Sequence, residues 1–223
     1  MSKPLAIDLF CGLGGWTQGL LEEGYKVIGF DIEAHDYGDG KRYPAPLVLQ
    51  DVLTLHGRQF KEAALILASP PCQFFSYVAM PWSRAKKLAS EVRASNERTE
   101  KELALFNACF RIQREAIEAA GHFIPMVVEN VRGAQPWVGR ARWNFGSYYL
   151  WGDVPALMPP TCLRGVKDKK DGGKSYGGGF GWDGTAARRM SSHSNARKAA
   201  SATIAKIPLP LARWIAKVYY PKI

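Results

Sequence analysis

The sequence is poor in the features that mark secreted, metal-binding or membrane proteins. It has 4 cysteines and 4 histidines in 223 residues, and no two cysteines form the C-x-x-C pair typical of zinc sites or suggest a disulfide framework. No apolar run approaches the roughly 20 residues that a membrane-spanning helix requires. Residues 1–4 lead directly into an apolar strand pattern instead of a signal peptide. We therefore expect a reduced, cytoplasmic protein without a membrane segment or a metal site.

Acidic residues are also scarce, since 20 Asp and Glu stand against 30 Lys and Arg and leave a net charge of +10. The basic excess is concentrated between residues 162 and 217, where 12 Lys or Arg accompany only 3 Asp. Such asymmetry favours a polyanionic partner. A merely cationic soluble surface is the alternative that charge alone leaves open.

The length fits one compact domain, or one domain with a small appendage. In the first half, short apolar runs at 5–10, 26–30, 65–68 and 126–128 alternate with helical patterns. This alternation predicts a mostly parallel sheet with helices on both faces. Within 101–120 an apolar stripe recurs at helical spacing and is expected to be core; it consists of Leu105, Cys109, Ile112 and Ala116.

Three motifs follow these predicted strands. The segment ASPPCQFFS at 68–76 carries Cys72 after two prolines, which force the chain out of the strand in a rigid extended turn. The segment DLFCGLGG lies at 8–15, and Glu129-Asn130-Val131 ends a third run. A lone cysteine is more often a buried structural thiol, but its position at a strand's carboxyl edge, where open α/β sheets hold their chemistry, favours a functional role.

In this order, DLFCGLGG, SPPCQFFS and VVENVRG resemble the cytosine-5 DNA methyltransferase family, strongly from Ala6 to Gly133 and thinly beyond. The resemblance implies a Rossmann-like fold that binds S-adenosylmethionine. It also implies a catalytic domain at 1–150 and a reduced, basic, Gly-rich recognition or linker segment at 151–195. A C-terminal helix at 196–223 would pack back on the catalytic domain.

The glycine-rich turn is not a dinucleotide fingerprint, because Thr17 stands where the third glycine should fall. The resemblance implies that this turn holds the methionine part of S-adenosylmethionine. It likewise assigns the ribose hydroxyls to Asp31 and the adenine amine to Asp51, although each would be uninformative as an isolated surface acid. The implied cofactor residues are Phe10, Gly12, Leu13, Gly14, Asp31, Ile32, Asp51, Val52 and Pro71.

The resemblance also implies the chemistry. A Cys72 thiolate would add to C6 of cytosine and make C5 nucleophilic. Glu129, with its pKa raised toward neutrality, would hydrogen-bond N3 and the exocyclic amine, and Asn130 and Val131 would hold Glu129 by backbone packing. Because the base is stacked inside duplex DNA, it must be flipped out. Residues 77–100 would form a loop that closes over it, with a charged surface helix as the alternative.

The C-terminal part departs from the family. Its arginine motif is represented only by Arg140 and Arg142, which either contact a phosphate or the flipped base or are plain surface arginines. In the last motif, Ala205-Lys206 replace the family's Gly-Asn before an apolar helix. Because little chain is left to read bases, we expect a short or relaxed target sequence and steep salt dependence of binding.

We therefore predict a small, monomeric cytosine-5 methyltransferase that acts on double-stranded DNA. A catalytically silent relative that binds nucleic acid is one alternative, and the presence of Cys72 and Glu129 argues against it. The same chemistry on RNA is the other alternative, which the basic segment does not exclude.

Overall fold

The computed structural model describes residues 2–37, 42–76, 82–158, 169–170, 174–175 and 195–221. The strands are β1 (Leu5–Leu9), β2 (Lys26–Asp31), β3 (Leu47–Leu49), β4 (Ala63–Ala68), β5 (Met126–Asn130), β6 (Trp143–Phe145), β7 (Tyr148–Gly152), β8 (Lys169–Lys170) and β9 (Lys174–Ser175). The helices are α1 (Gly15–Glu22), α2 (Trp82–Arg93), α3 (Asn96–Ala120), α4 (Gln135–Val138), α5 (Asn195–Ala205) and α6 (Leu209–Val218). Short 3-10 turns occupy Val52–Thr54, Gly57–Phe60 and Arg132–Ala134.

Strands β1 to β7 form one sheet in the order β3-β2-β1-β4-β5-β7-β6, and β8 and β9 pair separately. Strands β1 to β5 are parallel, whereas β7 is antiparallel to both of its neighbours. The chain builds outward from β1 to β3 and then crosses back to β4. This reversal creates a crevice at the carboxyl edge between β1 and β4, which is where open α/β sheets bind ligands.

The side chains of the sheet alternate between two buried clusters. Ile7 and Ile66 belong to a cluster that includes α3, whereas Ala6 and Leu65 belong to a cluster that includes α1 and α6. A strand buried on both faces needs an apolar residue at every position, which explains the continuous run AALILA of β4. The predicted Rossmann-like sheet with helices on both faces is therefore confirmed.

Helix α6 packs against α1 through small residues. A Cβ on Gly15 would lie 2.5 Å from the Ile207 nitrogen, and a Cβ on Gly19 would lie 2.5 Å from the Ala212 Cβ, so neither position has room for a side chain. The buried face of α6 includes Leu211 and Ile215, both 0% exposed. The C-terminal helix thus lies on the α1 side of the sheet.

The predicted domain boundaries stay a prediction. Within the segment at 151–195, residues 159–168, 171–173 and 176–194 lie outside the described residues, and these include most of the basic and glycine-rich positions. In the ranges that are described, no helix combines the length and apolar character needed to cross a bilayer.

Candidate active site

The predicted site residues follow the carboxyl ends of neighbouring strands. The glycine-rich turn follows β1, Asp31 ends β2, the Cys72 segment follows β4, and Glu129 is the last residue but one of β5. Because parallel strands end at one edge of the sheet, these four regions border the crevice between β1 and β4.

The glycine-rich turn reverses sharply after β1. Phe10, Gly12 and Gly14 all have positive φ, at 56°, 51° and 72°. A Cβ on Gly14 would lie 2.8 Å from the Pro44 ring, whereas a Cβ on Gly12 would meet no atom within 4 Å. Gly14 is therefore required by packing inside the protein. Gly12 instead leaves open space beside its Cα, which suits close approach by a ligand.

Asp31 is held by a ring of donors. Its Oδ2 accepts from the Gly12 amide at 2.9 Å, and its Oδ1 accepts from the Ile32 amide at 2.8 Å and from His35 Nε2 at 3.2 Å. Burial acts to raise the pKa of Asp31, but these hydrogen bonds outweigh it and lower the pKa below its usual value. Asp31 is therefore an ionised acceptor at the turn, as binding of ribose hydroxyls requires.

A second carboxyl group lies beneath the turn. Asp8 is 0% exposed and accepts from the Thr17 hydroxyl at 2.6 Å, and Thr17 also contacts the Tyr43 hydroxyl. Burial raises the pKa of Asp8 to about 8, against the hydrogen bond from Thr17, and burial likewise raises the pKa of Cys11. Cys11 is therefore an inert thiol, and no sequence motif indicated the contribution of Tyr43 to this group.

Asp51 and Val52 begin the 3-10 turn after β3. The Asp51 carboxylate accepts from the Leu53 amide at 2.9 Å and caps this turn. Val52 is 2% exposed, while Ile32, which directly follows β2, is 74% exposed. Arg111 of α3 holds the end of this turn by donating to the Leu55 carbonyl at 2.9 Å.

The Cys72 segment is anchored at both ends. The Ser69 amide donates to the Leu9 carbonyl at 3.1 Å, and Trp16 donates to the Ser69 hydroxyl at 2.9 Å. After Pro71, which is exposed, the Phe75 amide closes a turn on the Cys72 carbonyl at 3.0 Å. Cys72 is partly exposed, whereas Cys11 and Cys109 are buried. Of these described thiols, Cys72 is the accessible one.

Asn130 joins this segment to β5. Asn130 is 1% exposed. Its side-chain Nδ2 donates to the Pro70 carbonyl at 2.9 Å, and its side-chain Oδ1 accepts from the Val131 backbone amide at 2.8 Å. The predicted backbone packing of Asn130 and Val131 around Glu129 stays a prediction. The side chain of Asn130 ties the strand of Glu129 to the loop of Cys72.

Glu129 is buried, with 8% of its surface exposed. It lies close enough to Tyr148 of β7 for its charge to act on the tyrosine hydroxyl. Burial, and then the charge of Glu129, raise the pKa of Tyr148. The Tyr148 hydroxyl donates to the Lys206 carbonyl at 3.0 Å and to the Ile204 carbonyl at 3.2 Å. The turn before α6, where the family's last motif was expected, is thereby linked to the strand next to Glu129.

Arg140 and Arg142 lie just before β6. Both are exposed, and the Arg142 amide donates to the Leu150 carbonyl at 2.9 Å. Trp143, the first residue of β6, pairs with Leu150 of β7, which in turn pairs with Glu129 of β5. The arginines therefore approach the sheet two strands away from β5, and their role at the site stays a prediction.

The predicted loop at 77–100 is mostly helical. Residues 77–81 lie outside the described residues, but Trp82–Arg93 form α2 and Asn96 begins α3. The prediction of a loop is therefore wrong over α2, and the alternative of a charged surface helix is correct. Arg93 at its end lies 4.9 Å from the Trp137 ring, and Trp137 contacts Phe74 of the cysteine segment edge-on at 4.9 Å.

These features define a class of protein, a Rossmann-like methyltransferase in which a cysteine loop and a buried glutamate share the carboxyl edge of the sheet. Residues 5–133 match the family model described as C-5 cytosine-specific DNA methylase. Because this match covers more than half of the chain, the protein belongs to the C-5 cytosine-specific DNA methylase family. No curated protein matches the chain.

Solved structures similar to this chain include methyltransferases from bacterial and eukaryotic sources. An E. coli prophage protein described as a DNA modification methyltransferase is 22% identical with a TM-score of 0.38, covering 59% of this chain and 33% of its own. Entamoeba histolytica EhMeth is 16% identical with a TM-score of 0.40, covering 62% and 41%. S. pombe Dnmt2 is 17% identical with a TM-score of 0.37, covering 61% and 37%. The match thus spans between a third and about two fifths of these chains.

Proposed function

We propose that the protein transfers a methyl group from S-adenosylmethionine to C5 of a cytosine that is flipped out of double-stranded DNA. The observation that carries the proposal is the Asn130 to Pro70 hydrogen bond of 2.9 Å, which couples the strand of Glu129 to the loop of Cys72. Family membership supports the same chemistry. Monomeric action in the cytoplasm is part of the proposal.

The residues at the edge of the sheet fit S-adenosylmethionine. The open space beside Gly12 and the ionised carboxylate of Asp31 are the two features that a charged, ribose-containing ligand needs. Phe10, Leu13 and Gly14 would complete the methionine side together with Pro71, and Ile32, Asp51 and Val52 would hold the adenine. When bound, this cofactor supplies an electrophilic methyl group.

Cys72 and Glu129 would divide the remaining chemistry. The Cys72 thiolate forms a bond to C6, and the displaced electron pair of the ring is stabilised at N3 by a proton or hydrogen bond from Glu129. The ring is then nucleophilic at C5. After C5 is methylated, a base removes the C5 proton, the bond from sulfur to C6 breaks, and Cys72 leaves as a thiolate.

Bisulfite sequencing of DNA incubated with the protein and S-adenosylmethionine tests the proposal. We expect protected cytosines with the wild type, and a loss of about 10²- to 10⁴-fold in rate for Glu129→Gln, since an amide cannot protonate N3. Glu118→Gln is the matched control, because Glu118 is exposed on α3. Parallel reactions on RNA identify the substrate. Methylation of RNA alone would replace the DNA assignment, and methylation of neither by the folded protein would contradict the proposal.

A further inference from the structure

His35 directly contacts the carboxylate that is assigned to the cofactor ribose. Its Nε2 lies 3.2 Å from Asp31 Oδ1, and its Nδ1 lies 2.8 Å from the Tyr37 hydroxyl and 3.2 Å from Glu33 Oε1. His35 has a φ of 49°, in the left-handed region where residues other than Gly are uncommon and where Asn, Asp and His are the most frequent of them. The three motifs do not account for this arrangement, because His35 follows β2 in a segment with no motif of its own.

The contact limits what Asp31 can still accept. A carboxylate has about four lone-pair positions, two on each oxygen. Oδ1 is approached by the Ile32 amide at 2.8 Å, the Glu33 amide at 3.4 Å and His35 Nε2 at 3.2 Å. Among the described residues, Oδ2 accepts only from the Gly12 amide, at 2.9 Å. Oδ1 therefore has no lone-pair position left to accept a further hydrogen bond, and Oδ2 has one. A ribose, in contrast, presents two hydroxyl donors.

We propose that His35 is a positioning residue that occupies Asp31 Oδ1 in the free protein and is displaced from it when the ribose of S-adenosylmethionine binds. This inference rests on the proposed function, because it takes Asp31 as the ribose acceptor. In the free protein His35 holds the Asp31 carboxylate in the orientation that the Gly12 amide also requires. In the complex, a ribose hydroxyl takes the position of His35 Nε2.

The exchange couples cofactor binding to a proton. The hydrogen bond to Asp31 raises the pKa of His35 most strongly, against burial, and the charges of Asp31 and Glu33 add to it. Tyr37 faces the ring from the same loop. Asp36 and, from α5, Asn195 and Lys198 border the adjoining surface cavity of about 220 Å³. Displacement from Asp31 removes the largest cause of the raised pKa, and the positive charge of Lys198 does not replace it.

The sign of the pH dependence follows from proton linkage. The free protein holds more protons on His35 than the complex does, so binding releases a proton between the two pKa values of His35. Affinity for S-adenosylmethionine therefore increases as pH rises through this window and is lost as pH falls. Asp31 does not contribute, because its lowered pKa keeps it ionised throughout.

Calorimetric titration with S-adenosylmethionine between pH 6 and 8, in two buffers of different ionisation enthalpy, tests the inference. For the wild type we expect proton release and an affinity that falls by up to about tenfold per pH unit on the acid side. His35→Asn removes the ionisable ring and suits a positive φ. Its affinity should be independent of pH and should exceed that of the wild type at pH 6. His56→Asn, at the exposed cap of the 3-10 turn Gly57–Phe60, should behave like the wild type.

Four other outcomes would overturn the inference. If His35→Asn keeps the pH slope of the wild type, the proton comes from another group. If it binds more weakly at every pH, His35 supports the ribose site instead of vacating it. Asp31→Ala separates this inference from the proposed function. If Asp31→Ala weakens binding but the affinity of the wild type does not change with pH, only the role of His35 is refuted. If the wild type does not bind S-adenosylmethionine at any pH, both are refuted.

Discussion

Asn130 connects the two chemical groups of the site through one buried amide. Both of its hydrogen bonds go to backbone groups, the Pro70 carbonyl and the Val131 amide. Neither of these groups has a strand ladder to satisfy it at the end of β4 or β5. A buried amide that bridges two chain reversals fixes their relative position, which is what a nucleophile and an acid acting on one base require.

Asn130→Ala removes this bridge without changing any group that would touch substrate. We expect a stability loss of about 1–3 kcal/mol, because two buried backbone groups lose their partner. We also expect kcat to fall by about 10²-fold, since small displacements at a reacting centre have effects of this size. Urea unfolding and single-turnover methylation measure the two quantities.

Asn144→Ala is the matched control, because exposed Asn144 also donates to a backbone carbonyl, that of Gly146. It should change neither quantity appreciably. A destabilised Asn130→Ala protein that keeps the wild-type kcat would show that this bridge serves folding alone, and an unchanged stability with the wild-type kcat would show that it serves neither.

The sequence predicted the residues whose position follows from a strand end. Cys72, Asp31 and Glu129 each follow an apolar run, and parallel strands bring such ends to one edge regardless of the loops between them. His35 could not be found in this way, because its contact depends on a chain reversal through a positive φ. The same holds for Tyr43, which reaches Thr17 from a loop.

At the scale of elements, α1 and α6 form the most closely packed helix pair around the glycine-rich turn. Gly15 and Gly19 lie one turn apart on α1, so they present a single flat face to α6. Trp16 and Leu20 on the same helix are buried against the sheet. The start of α1 is also the end of the glycine-rich turn, so this packing sets the position of the turn.

Gly19→Ala should therefore destabilise the protein although alanine favours helix. The propensity gain is about 1 kcal/mol. The new Cβ would lie 2.5 Å from the Ala212 Cβ and 2.6 Å from its carbonyl carbon, and forcing extra volume into a packed core costs about 1–3 kcal/mol. We expect a net decrease in the urea midpoint. Gln18→Ala, on the exposed side of α1, is the control, and an increased midpoint for Gly19→Ala would show that the two helices separate freely.

Elements with strong periodicity were predicted and those set by tertiary pairing were not. The stripe of α3 is core as expected, with Cys109, Ile112 and Ala116 all 0% exposed. The antiparallel pairing of β7 with β5 is set by tertiary contacts, although the two-residue Gly146-Ser147 turn between β6 and β7 is itself a local hairpin signal. The sequence of α2 predicted a loop because it is polar and charged overall, although Ala85, Leu88 and Val92 recur at helical spacing.

For the whole molecule, the sheet gathers the residues proposed to bind S-adenosylmethionine on one side of the crevice, and the cysteine and glutamate on the other. Asp31 lies on β2, whereas Cys72 and Glu129 follow or end β4 and β5, with the glycine-rich turn of β1 between them. A base that enters over β4 would therefore meet the reactive thiol next to the methyl donor. The net charge of +10 suits a polyanionic substrate.

The central claim is that Cys72 forms a covalent bond with cytosine C6, and duplex DNA that carries 5-fluorocytosine tests it most directly. Fluorine at C5 leaves no proton to remove, so elimination cannot release the thiolate. We expect the wild type, with S-adenosylmethionine, to form an adduct that survives denaturing electrophoresis, and Cys72→Ser to form none. Cys109→Ser, which changes a buried thiol on α3, should form the adduct as the wild type does. A normal adduct yield from Cys72→Ser, or none from a wild type that methylates ordinary cytosine, would contradict the account.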